Sequence, residues 1–116
     1  MADEESEFLE CPYLGTAVEL TAERRAHIEV AHGEVLPAFF AEFAETLRDP
    51  DRVMVRPPNE RAFVRLWPNV AGGKHLFVVV LTDRLPSNGD RDVRHWVVTA
   101  YAVRRFPGWS IEWHRV

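Results

Sequence analysis

Residues 36–55, LPAFFAEFAETLRDPDRVMV, decide the fold class, because the apolar period changes inside them. Leu36, Phe39, Phe40, Phe43 and Leu47 recur at i, i+3, i+4, i+7 and i+11, which places them on one helical stripe broad enough to cover a sheet face. Pro37 suits the first turn of that helix, and Asp49, Pro50 and Asp51 stop it. Beyond residue 50 the pattern is that of strands. Residues 53–55 are short, residues 62–67 alternate up to Pro68, and residues 76–81 form a nearly continuous apolar run suited to a central strand. Gly72 and Gly73 supply the turn between the last two. A loop holding Pro86, Ser87, Asn88, Gly89 and Asp90 precedes a β-branched and aromatic segment at 95–103. Pro107 and Gly108 then lead into Trp109, Ile111 and Trp113, whose period of two predicts an edge strand.

Upstream, residues 16–20 are extended and Thr21 is placed to cap a first helix that ends near His32 and Gly33, with Gly33 in the left-handed conformation of a helix C-terminus. Two helices followed by strands predict an α+β fold: two N-terminal helices packed on an antiparallel sheet of four or five strands. Residues 1–15 read as an acidic, partly mobile lead-in from which Phe8, Leu9 and Tyr13 dock, and residues 16–116 as one domain.

Composition agrees with an ordinary globular chain, since 47% of 116 residues are apolar and 28% charged, enough for a single core. No run of about 18 apolar residues is present, and the first ten residues are acidic where a secretory leader is basic, so the sequence reads as soluble and cytoplasmic with no membrane partner. Cys11 is the sole cysteine, which precludes an internal disulfide or a thiolate zinc cluster, and no helix start or basic neighbour activates it. The net charge of -4 hides a bias along the chain. Residues 1–58 hold 5 Arg/Lys against 13 Asp/Glu, whereas residues 59–116 hold 9 against 5, so arginines of the second half sharing a face would attract an anion.

The groups suited to chemistry are few. His27 and His32 lie five apart and so point about 140° from each other on a continuous helix, the wrong spacing for a metal clamp. Neither HExxH nor CxxC occurs, and no glycine-rich nucleotide loop or nucleophile elbow is present, so neither metal nor cofactor is expected. A helix ending near His32 leaves one imidazole on its side and one at its C-terminal turn, and imidazole is the usual proton carrier at neutral pH. Alternation along the last long strand puts His95, Val97, Thr99, Tyr101, Val103 and Arg105 on one face. Thr99 and Tyr101 would then offer a hydroxyl for a phosphate oxygen and a ring for a base, or simply fill a strand. Lys74, the only lysine, enters the central strand, where with Arg65 it is placed to offset phosphate charge.

Four stretches in order, LTAERRAHIEVAH (20–32), LRDPDRV (47–53), GGKHLFVVVLT (72–82) and HWVVTAYAVRR (95–105), resemble the phage-associated branch of the barnase, EndoU, colicin and RelE-like nuclease superfamily. The resemblance spans Val18 to Arg105. It implies helices before an antiparallel sheet and a toxin-like, metal-independent ribonuclease in which the ribose 2′-hydroxyl attacks the adjacent phosphate. By the same resemblance His27 leads proton transfer with His32 as the second histidine, Thr99 and Tyr101 contact the scissile phosphate, and Lys74, Arg65 or Arg104 offset its charge. Gly33 and Glu34 stand where the family commonly has a proline. RNA is the implied substrate and a cognate inhibitor or other protein the implied partner. The alternative is a noncatalytic member of the same fold that binds RNA or protein, or a structural accessory protein.

Overall fold

The structure, a computed structural model, describes residues 6–84 and 93–116; the expected loop at 86–90 and the first five residues lie outside the described residues. Its strands are β1 (Ser6–Cys11), β2 (Thr16–Thr21), β3 (Arg52–Arg56), β4 (Glu60–Trp67), β5 (Lys74–Arg84), β6 (Val93–Val103) and β7 (Ser110–His114), with helices α1 (Ala22–Ala31) and α2 (Phe40–Arg48). They form one seven-stranded sheet in the order β1-β2-β6-β5-β4-β3-β7. The α+β class holds, but the expected antiparallel sheet of four or five strands behind two N-terminal helices does not. Two strands precede α1, and β2 pairs with β6 in parallel through Glu19 and Trp96, so the sheet is mixed.

Part of the acidic lead-in is therefore an edge strand, since β1 pairs with β2 from Ser6–Thr21 to Cys11–Thr16. Gly15, at φ +74°, closes the one-turn 3-10 helix Pro12–Leu14 between them. Cys11 is buried, and that burial pushes its thiol up, which suits a packing role rather than a nucleophile.

Thr21 caps α1 as its sequence predicts: its Oγ1 accepts the Arg24 N–H at 3.1 Å. The other end differs. His32 is the C-terminal cap at φ -137°, and Gly33 does not take a positive φ. Likewise α2 begins at Phe40, so Pro37 lies in the turn before it and Leu36 packs from that turn. Phe43 and Leu47 are buried as the stripe requires, while Phe39 and Phe40 are half-buried beside them.

The sheet has a core on each face. Ile28 of α1 and Phe43 and Leu47 of α2 pack on Phe63, Leu76, Val78, Val80, Val97 and Ala100, while Met54, Ala62, Val64, Phe77 and Val79 form a smaller cluster on the other, helix-free face. The residues of β5 alternate between the two, which is why its sequence is apolar almost without interruption. On β6, Val97 and Ala100 both reach the helix side although they are three apart. Pairing with β5 explains this, for Val79 faces Thr99 and Val80 faces Val97, leaving Val98 as an extra residue in a bulge. Thr99 and Tyr101 thus share the helix-free face, but Val97 does not join them, contrary to strict alternation.

Replacing Phe43 by Ala should cost about 3–5 kcal/mol, because it empties a fully buried aromatic site between α2 and the sheet. Equilibrium denaturation measures this, and a loss under about 1 kcal/mol would show that α2 does not hold the core.

Candidate functional site

Pairing between β2 and β6 is confined to Glu19 and Trp96, and from there α1 takes over the flank of β6. Arg24 extends a guanidinium to the Val98 carbonyl at 3.4 Å. One turn later His27 is exposed, and at the helix end the His32 ring lies 5.5 Å from the Tyr101 ring. Among the described residues His27 itself makes no hydrogen bond, ion pair or ring contact.

The structure thus brings together two residues remote in sequence, His32 and Tyr101. Glu34 lies 3.5 Å from Nδ1 of His32, leaving Nε2 without an assigned partner. Tyr101 also packs on Phe77, 5.3 Å between centroids, and Phe77 meets Trp109 edge-on at 5.4 Å. The Arg56 guanidinium sits over the Trp109 ring at 4.4 Å and is held by Glu60 at 2.8 Å from Nε. Burial pushes the Tyr101 phenol above the usual range for tyrosine, and the charge of Arg56 pulls it back down while Glu60 adds to the rise.

Other sequence candidates fall elsewhere. Arg65 is on the helix-covered face, donating to the Asp49 carbonyl at 3.0 Å and lying 3.3 Å from the Asp49 carboxylate and 4.5 Å over Trp67. Lys74 opposes Trp67 in the β4–β5 register and shares that face. Both stand on the far side of the sheet from Tyr101. Arg104 is exposed just past the end of β6. Part of the basic surface expected of the second half is also ion-paired, because Arg61 pairs with Glu112, Arg94 with Glu19, and Arg115 with Asp49.

Sequence reasoning missed Arg24, Arg56 and Trp109. Arg24 carried a hint, since it lies one turn before His27 on a helix, but Arg56 acquires its meaning only from Trp109 and Tyr101 in the folded sheet. Among the described residues no group of three or more His, Cys, Asp or Glu is placed to hold a metal ion, and no helix is long and apolar enough to cross a membrane. No protein-family model, curated protein or solved structure matches the chain.

Because the folded protein holds the Tyr101 proton beyond the point at which an unfolded chain releases it, near pH 10, the stability linked to this phenol is full below that pH and lost as pH rises through the folded value. Arg56→Gln should raise the Tyr101 titration further by removing the charge that lowers it. Tyrosinate absorbance against pH measures the shift; an unchanged curve would mean that Arg56 does not act on the phenol.

Proposed function

We propose that this protein is a metal-independent ribonuclease whose site is the border between α1 and the helix-free face of β6. The observation that supports it is the His32–Tyr101 contact, which unites the two ends of the resemblance to the barnase, EndoU, colicin and RelE-like nucleases. In this reading Nε2 of His32, with Glu34 at its other nitrogen, takes the proton of a ribose 2′-hydroxyl. The freed oxygen attacks the adjacent phosphorus, the bond from phosphorus to the 5′-oxygen breaks, and that oxygen takes a proton from His27, a role that rests on the resemblance alone. A 2′,3′-cyclic phosphate and a 5′-hydroxyl result. Tyr101 and Thr99 donate to the non-bridging oxygens, and Arg56 offsets the charge that accumulates on them. Lys74 and Arg65 have no part in it, being on the opposite face.

The isolation of His27 favours a second reading, a noncatalytic domain that binds RNA on the same surface. Incubating the protein with RNA and with DNA in EDTA separates the two. A ribonuclease of this kind cuts RNA, leaves DNA intact for want of the 2′-hydroxyl, and yields cyclic phosphate ends. His32→Ala and His27→Ala should each slow cleavage roughly 10²- to 10⁴-fold in a folded domain, and Thr99→Val less, because it removes one hydrogen bond and leaves proton transfer in place. RNA left intact across pH and substrates would exclude the enzyme, and full activity in His32→Ala would exclude this site.

A further inference from the structure

Arg52, Met54 and Arg56 alternate onto one face of β3, and Met54 belongs to the helix-free core cluster, so both arginines emerge on the side that carries Tyr101. Each lies over an aromatic ring from the segment that follows β6. The Arg56 guanidinium is 4.4 Å above Trp109, and the Arg52 guanidinium 4.3 Å above Phe106, whose ring is in turn 4.7 Å from that of His75. Such layering holds a guanidinium flat and ordered while its outer side stays open; the Arg56 side chain is 56% exposed. Among the described residues Arg52 has no carboxylate partner, so its charge is unspent.

We infer that Arg52 and Arg56 are stacking planes for nucleobases and that they make unpaired RNA the substrate of the site at the α1–β6 border. The inference rests on the ribonuclease reading for its location, and adds to it the class of RNA. A guanidinium plane receives a base on its π-face and a phosphate on its edge, and both are attractive to a single strand. Four residues along a strand separate the two planes by about 13 Å, a span that an extended single strand covers with its bases turned toward the sheet. A duplex keeps its base faces inside its own stack and offers only phosphates and groove edges, so it gains nothing from flat cations.

The test is binding of a 2′-O-methyl oligonucleotide, which cannot be cleaved, as a single strand and as a duplex over a range of salt, to wild type, Arg52→Lys and Arg56→Lys. Lysine keeps the charge and removes the plane. Expected are binding of the single strand at least about tenfold tighter than the duplex, a further loss of roughly 5- to 100-fold in each lysine variant, and an unchanged salt slope. Arg52→Lys decides the matter should Arg56→Lys disturb folding, as near-UV circular dichroism would reveal. Equal affinity for duplex and single strand, wild-type affinity in the lysine variants, or no binding of either oligonucleotide overturns the inference. Cleavage of RNA by a protein whose single-strand binding ignores both substitutions removes the stacking planes and leaves the ribonuclease; the expected binding without cleavage does the reverse.

Discussion

The arrangement depends on the early departure of β2 from β6. A strand edge buried without partners would leave carbonyl groups unpaired at a cost of about 1–3 kcal/mol each. Here α1 occupies the place a strand would have taken, and Arg24 donates to the Val98 carbonyl on that edge. A helix beside a strand, instead of over it, borders both faces of the sheet. Ile28 can then enter the larger core while His32 reaches around to Tyr101 on the other side. The His32–Tyr101 contact is a consequence of that substitution.

The bulge at Val98 completes the arrangement. It lets Val97 and Ala100 both serve the helix-side core while Thr99 and Tyr101 remain on the helix-free face next to Phe77. The segment after β6 covers part of that face with Phe106 and Trp109. Arginines from β3 then lie on those rings. On the opposite face, in contrast, Arg65 is drawn into contacts with Glu45 and Asp49 at the end of α2. The two faces thereby carry different cations, Arg65 bound to carboxylates at the end of α2 on one and Arg52 and Arg56 stacked on rings on the other, a division that the linear charge bias does not reveal.

Local pattern was enough to read α2, α1 with its Thr21 cap, β4, β5 and the edge strand β7, because each has a period or a cap visible within about ten residues. It failed for β1, where Phe8 and Leu9 stand side by side between Glu7 and Glu10 with no period of two, and the strand owes its existence to pairing with β2. The parallel contact of β2 with β6 has no local signature at all, and the bulge at Val98 is set by packing on both faces. For the site, His32 and Tyr101 were legible as residue types in suggestive places. Arg65 and Lys74 were legible only as charges, and which side of the sheet they take follows from the β4–β5 register. Arg56 precedes two prolines and looks like a turn charge until Trp109 is folded beneath it.

The central claim is that RNA lies along the α1–β6 border and across the helix-free face. Backbone and side-chain NMR of the isotope-labelled protein, titrated with a 2′-O-methyl single strand, tests it most directly. The account predicts shifts concentrated at His27, His32, Thr99, Tyr101, Arg52, Arg56 and the Trp109 indole, with Arg65, Trp67 and Lys74 unmoved. Shifts centred on Arg65, Trp67 and Lys74, or none at any ratio of RNA to protein, would contradict it.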